Sequence, residues 1–227
     1  MSRAFSSLSD LLSNSSPAAT GYPCTISVWF KNNALTTQQA LFALGTSGGS
    51  NNNSMILQTT ASGQCQLTVT GASGGSQATS TTSVSDANWH LYTGIFASPT
   101  SYSVYLDGGS FGTQTNAHSP TAFNITRAAQ WPNAATPILS AGELAHLAVW
   151  NIALNSTQVA SIVTTPPSGV AAGNLQGYWT LTDNASPEPD LGLGGHSLTV
   201  TGTTYVADDP YAAVTTTHNG LLLVGCG

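Results

Sequence analysis

At 227 residues, with no charged or low-complexity linker to divide it, the chain reads as one large domain. Only 5% of its residues are charged, against roughly a quarter in an average soluble protein, and Ser, Thr, Asn, Gln and Gly stand where Lys and Glu usually do. Its three basic residues are Arg3, Lys31 and Arg127, and its net charge is −6; this excludes the footprint of a phosphate backbone or an anionic membrane, and no apolar run nears the ~20 residues that span a bilayer.

In chain order, Ser2 to Phe5 is expected as a first edge strand ahead of a polar loop. Cys24–Phe30 follows Tyr22-Pro23 and alternates cleanly, with Ile26, Val28 and Phe30 on one face of a central strand. Ala40–Leu44 and Met55–Gln58 form the next pair, divided by a Gly- and Asn-rich loop. Cys65–Thr70 is a further strand, and Gly71–Ser83 reads as a flexible loop.

The clearest signal is Asn88 to Gly108. Trp89, Leu91, Thr93 and Ile95 alternate with His90, Tyr92, Gly94 and Phe96; a turn at Ser98-Pro99-Thr100-Ser101 leads into Tyr102–Asp107, which alternates again and ends in Asp-Gly-Gly. Phe111–Thr115 and Phe123–Arg127 are weaker strands, and Trp131-Pro132-Asn133 is a turn. Leu144–Trp150 places Leu147 and Val149 on one face, with His146, Ala148 and Trp150 on the other. The period then lengthens to about 3.6 residues, so Asn155 caps a short helix over 156–163. Leu154 and Val159 form a hydrophobic staple, and Pro166-Pro167 stops the helix. Leu175–Thr182 and Ser197–Val206 complete the strands.

The Trp-led hairpin ending in Tyr105-Leu106-Asp107-Gly108 resembles the central hairpin of laminin G-like, concanavalin A-like domains. So do the block Gly142–Asn151 leading through Ile152-Ala153-Leu154 into a helix, and the later strand Gly177-Tyr178-Trp179-Thr180-Leu181. The resemblance implies an all-β sandwich of two curved antiparallel sheets with one short helix, spanning residues 1–207. Residues 208–227 then remain as a C-terminal tail. It implies no single function, because the fold carries lectins, adhesion modules, glycosidases and virion proteins.

Catalysis finds little support. Glycosidases on this fold need two carboxylates across a cleft; the chain has Glu143 and Glu188 but no closely spaced acidic trio on a strand, and Glu143 has no acidic partner two or four residues away. There is no Gly-x-Ser-x-Gly elbow, and His90 and His146 read as satisfied sheet residues. His118, His196 and His218 share no metal-ligand spacing. Calcium is the one ion with suitable chemistry: Asp183, Asn184, Glu188 and Asp190 crowd the loop 182–196, with Asp107 as a further ligand, although the same residues also serve as ordinary turn formers. Sugar binding calls for exposed aromatics or an amide-rich groove. Trp131 with Asn133, and Tyr211, are the candidates, since Trp29, Trp89, Trp150 and Trp179 sit in strands and fill the core.

Cys24, Cys65 and Cys226 cannot all pair within one chain, and the N-terminus lacks the apolar core of a secretory signal, so synthesis in the cytoplasm is expected. Sequons occur at Asn14, Asn52, Asn124, Asn155 and Asn184, as chance also provides in an Asn- and Ser-rich chain. With few lysines to guard sheet edges, loops or neighbouring subunits are expected to cover them. Leu221, Leu222, Leu223 and Val224 in the tail can add a strand to a neighbour's sheet or fold back onto their own domain.

Two functional readings result. One is a virion surface protein, a capsid decoration or accessory protein like the short laminin G-like proteins of phages, bound to a major capsid protein and assembled as a homo-oligomer such as a trimer. The other is an extracellular carbohydrate-binding or adhesion module.

Overall fold

In the computed structural model, residues 1–32, 37–48, 53–71, 74–120, 122–132, 139 and 141–212 are described. They form a sandwich of two antiparallel sheets. The first runs β10(Ser110–Gln114), β9(Ser101–Leu106), β8(Trp89–Ser98), β3(Cys24–Asn32), β12(Gly142–Trp150), β1(Ser2–Phe5), β15(Thr204–Val206), with β13(Leu175–Trp179) also on β12. The second runs β14(Thr199–Thr201), β2(Leu11–Asn14), β11(Ile125–Ala128), β4(Gln39–Gly45), β5(Ser54–Thr59), β6(Gln64–Gly71), β7(Gly74–Ser83).

Alternation decides which side chains meet between the sheets. From β8, Tyr92 and Phe96 face inward, joined by Val28 and Phe30 of β3, Val104 and Leu106 of β9, and Leu57, Leu67 and Val69 of the second sheet. Leu91 and Ile95 face outward. There a second apolar cluster forms with Trp29, Ala148 and Trp150 beneath the helix α1(Ser156–Ile162). A two-residue period thus makes the first sheet apolar on both faces, as a sheet covered on both sides requires.

The helix starts where the sequence places it. Asn155 accepts from the Gln158 amide at 2.9 Å while the Gln158 side chain accepts from the Asn155 amide at 2.9 Å. This is a reciprocal capping box. Leu154 and Val159 are both buried against the outer face of the first sheet.

β12 does not keep the strict alternation expected of it. Leu144 lies in the inner core together with Leu147 and Val149, a spacing of three that pure pleating forbids. A bulge between Ala145 and Ala148 supplies the extra residue, and His146 sits there with φ 50°. The bulge is also where the partner changes: β1 pairs with Gly142–Leu144 and β13 with Leu147–Trp150 on the same side of the strand.

Three expectations are corrected. β1 is not an edge strand, because β15 pairs with its other side. Ser197–Val206 is not one strand: it breaks at Gly202, φ 75°, so that β14 joins the second sheet and β15 the first. Most of the expected loop 71–83 is β7, a ten-residue polar strand paired to β6. Its one inward apolar side chain is Ala78, so it carries almost no hydrophobic alternation.

β7 and β10, the edges of the two sheets on one side, lie against each other. Ser110 Oγ meets Thr81 Oγ1 at 3.1 Å and accepts from the Thr82 amide at 2.8 Å, and Asn116 donates to Ser76 Oγ at 3.1 Å. Gly112 permits the approach, since a Cβ there would lie 1.9 Å from the Thr79 carbonyl oxygen. On the other side, β14 and β15 are successive in the chain. The free edge of β13 is covered by the segment 191–194, whose amides bond to Tyr178, Leu175 and Gln176 carbonyls.

Candidate functional site

An open groove of about 710 Å³ lies at one end of the sandwich, where five segments distant in sequence converge. Its wall is 17–23, the approach to β3; Pro120 and Ala122 close one side, and Asn151, Gln176 and His196 face it from the end of β12, from β13 and from the loop after it. Tyr22 is 42% exposed, although its ring also packs edge-on against buried Phe96 at 5.2 Å. The ring is therefore held on one side while much of it stays exposed, and the Tyr22-Pro23 peptide is cis.

Several polar groups of the groove are left unspent. Asn151 Oδ1 accepts from Asn174 at 3.1 Å, which leaves its NH2 for a ligand. Gln176 donates to the Asn174 carbonyl at 3.5 Å, which leaves its side-chain oxygen. The backbone of His196 is fixed, its amide donating to Asp190 at 2.7 Å and its carbonyl accepting from Trp179 Nε1 at 2.8 Å. Its imidazole makes no hydrogen bond among the described residues, nor does the Tyr22 hydroxyl. Among the described residues, no carboxylate, Lys or Arg lines the groove. A flat ring beside donors and acceptors of both kinds suits a hydroxyl-rich ligand with an apolar face.

The residues singled out from sequence fall elsewhere. Trp131 is half-buried and donates from Nε1 to Gln58 Oε1 at 3.2 Å over the outer face of the second sheet, beside Arg127, whose guanidinium donates to the Trp131 carbonyl at 3.1 Å. Asn133 lies outside the described residues, as do Leu221, Leu222, Leu223, Val224, Cys226 and His218.

Tyr211 is not exposed. Its ring stands edge-on to Trp29 at 5.6 Å and to His146 at 4.6 Å, and its hydroxyl donates to the Ile162 carbonyl at 2.7 Å. It closes the outer cluster beside α1 and offers no face to a ligand. Its neighbours bind to the sandwich too: Asp208 accepts from Lys31 at 2.5 Å, and Asp209 contacts His146 Nε2 at 3.1 Å and the N-terminal amine at 3.0 Å. Burial lowers the His146 imidazole, with Asp209 pulling the other way.

Most of the carboxylates among the calcium candidates already hold backbone or side-chain donors. Asp190 accepts from the amides of Tyr178, Gly192 and His196, and Asp183 accepts from Ala185. Glu188 is fully buried and bonds Arg3 and the Leu181 amide. Asp107 holds His90 Nδ1 at 2.7 Å and the Leu91 amide at 2.9 Å. Among the described residues no group of three or more His, Cys, Asp or Glu could hold a metal. Turn and latch duties use the carboxylates that calcium would need. Glu143 likewise accepts from Ser2 at 2.8 Å and lies 3.6 Å from Lys31.

Tyr22 and its companions leave no signal in the sequence. Tyr22 is followed by Pro and a central strand, which reads only as a turn, and Asn151, Gln176 and His196 share no spacing.

Comparison with known proteins agrees with the architecture. A laminin G-type family model, described as the concanavalin A-like lectin/glucanases superfamily, matches residues 8–160. No curated protein matches the sequence. Among solved structures, a native heptameric SAP-like pentraxin from Limulus polyphemus superposes with a TM-score of 0.61 at 16% identity, covering 89% of this chain and 93% of that one. A putative carbohydrate binding protein from Bacteroides ovatus gives 0.64 at 14% identity over 89% of this chain, which spans 58% of that protein. The Ruminococcus gnavus IT-sialidase CBM40 bound to alpha2,3 sialyllactose gives 0.55 at 14% identity, covering 64% of this chain and 84% of that one. At such identities the likeness concerns the fold. With the sandwich, its helix and the family match in agreement, the chain belongs to the concanavalin A-like lectin/glucanases superfamily.

Proposed function

We propose that the chain is a non-enzymatic carbohydrate-binding or adhesion module, acting outside the cell, that takes a neutral glycan in the Tyr22 groove. The observation that carries this reading is the groove's lining: an exposed tyrosine beside Asn151, Gln176 and His196, with no carboxylate, Lys or Arg among the described residues. A pyranose ring can lay its apolar face on Tyr22 and offer its hydroxyls to the unspent amide and imidazole groups. The absence of a lining cation favours neutral over acidic sugars. Glycan binders among the structural neighbours support the same reading, although one of them is bound to an acidic sugar.

The virion reading finds no such support. Its assembly residues, Leu221 to Val224, lie outside the described residues, and none of the similar structures named above is a capsid protein.

A glycan array with the intact chain, followed by titration of the best ligand, tests the proposal. Tyr22→Ala should weaken binding about tenfold, the equivalent of ~1.4 kcal/mol from a lost stacking contact. Unchanged affinity in Tyr22→Ala, or recognition confined to acidic glycans, would refute it.

A further inference from the structure

A second surface with the same chemistry lies on the outer face of the first sheet, between α1 and the edge strand β10. Its floor comes from cross-strand pairing: Phe111 stands opposite Tyr105 and Thr113 opposite Ser103 in the β9–β10 register. The next pair along, Gln114 opposite Tyr102, leaves Thr115 beside Ser101 on the same face as Thr113 and Ser103. Ile95 and Ala97 of β8 continue the floor, and Ala153, Leu154, Asn155 and Ser156 form the wall, enclosing about 400 Å³.

Two features together give this surface its chemistry. Tyr105 and Phe111 pack ring to ring at 4.9 Å with a 45° tilt, and Phe111 is 44% exposed, so a two-ring apolar platform faces solvent. Beside it, the hydroxyls of Ser101, Ser103, Tyr105, Thr113 and Thr115 make no hydrogen bond among the described residues. Among the described residues, no charged side chain lines the surface.

We propose that the β9–β10 face is a second binding surface for neutral saccharide chains, with one pyranose ring on the Tyr105–Phe111 platform and the adjoining sugar hydroxyls on the Ser103–Thr113 pair. An aromatic platform continued by paired hydroxyls along two strands matches a ligand that alternates apolar ring faces with rows of hydroxyls. An uncharged lining excludes selection by carboxylate or sulfate. This surface is separate from the Tyr22 groove, though the two flank one segment: Asn151 lines the groove and Ala153 the platform.

Affinity electrophoresis of the full chain in gels containing β-glucan, xylan, galactomannan or no polysaccharide tests the proposal. Wild type, Tyr22→Ala, Phe111→Ser and the double variant Ser103→Ala/Thr113→Val are run side by side, with folding checked by circular dichroism. At least one polysaccharide should retard the wild type and Tyr22→Ala. Phe111→Ser should weaken that retardation about tenfold and the double variant several-fold. If Phe111→Ser folds poorly, the double variant, which alters only surface hydroxyls, decides alone. Retardation abolished by Tyr22→Ala yet untouched by the β9–β10 variants would assign all binding to the end groove and overturn the proposal. So would the absence of retardation in every gel.

Discussion

Arg3 and Glu188 form an ion pair with side chains 2% and 0% exposed, and removing one partner should be among the costliest single changes in the protein. Arg3 donates from Nε and Nη2 to Glu188 Oε2 at 3.1 and 3.0 Å, from Nη1 to Thr203 at 3.2 Å, and from Nη2 to the Ala185 carbonyl. Glu188 also accepts from the Leu181 amide at 2.9 Å. The pair thus ties β1 to the loop after β13 and to the β14–β15 corner. In Arg3→Met the carboxylate stays buried with that one amide as its partner, at a cost of about 3–5 kcal/mol. Against a typical stability of ~5–15 kcal/mol, this lowers the melting temperature by roughly 6–20 °C for a domain of this size.

Burial pushes the Glu188 carboxyl above its usual range even with Arg3 pulling it down. Without Arg3 the rise is larger, so the folded state binds a proton more readily than the unfolded one. The deficit of Arg3→Met should therefore be full above the folded-state pKa of Glu188 and shrink as the pH falls below it. Arg3→Met/Glu188→Leu, which removes both charges, should recover most of the loss. Urea unfolding followed by tryptophan fluorescence measures all three proteins. An Arg3→Met variant within 1 kcal/mol of wild type at pH 7, or a double variant no better than the single one, would refute the reasoning.

Gly112→Ala should push β10 off the Thr79 carbonyl and destabilise by about 1–3 kcal/mol, read as a shifted urea midpoint. The two strand histidines should show opposite pH behaviour. His90 is raised, first by its hydrogen bond to Asp107 and then by Asp86 against the cost of burial, so its contribution is full below the unfolded pKa of ~6.5 and fades as pH climbs through the folded value. His146 is lowered by burial, so stability is lost as pH falls below ~6.5 through its folded value. Urea midpoints of wild type, His90→Gln and His146→Gln between pH 5 and 8 check both signs. Burial pushes the Cys24 thiol up to about 12 and the Cys65 thiol up as well, so a thiol reagent should modify neither until the protein unfolds, as peptide mass mapping would show.

Legibility in the sequence followed the source of each element's stability. β3, β8 and β9 send alternate side chains into the inner core, as does β12 from Leu147 onward, so alternation found them, and the Asn155 cap and the Leu154–Val159 staple announced the helix. β7 has little to bury. Its strand state comes from pairing with β6 and from meeting β10, neither of which leaves a pattern in Gly-Gly-Ser-Gln-Ala-Thr-Ser-Thr-Thr-Ser. The bulge at His146 was equally silent, because nothing local demands a left-handed residue there. Both candidate sugar surfaces escaped the sequence for another reason. Each is assembled from side chains that are ordinary in their own strands or turns and become a surface only through long-range pairing. Trp131 and Tyr211 were singled out as aromatics among polar residues, but an aromatic in a polar segment also closes a cluster well, as Tyr211 does.

The meeting of β7 with β10 bears on how the protein stays dispersed. Many β-proteins repel stray strands with lysines, a defence that weakens once added salt shortens the Debye length to a few ångströms. Here the outermost strands block each other by steric fit and short neutral hydrogen bonds, which ionic strength barely touches. Colloidal stability in brine, or beside a dense layer of polysaccharide, is then a property of the backbone's shape.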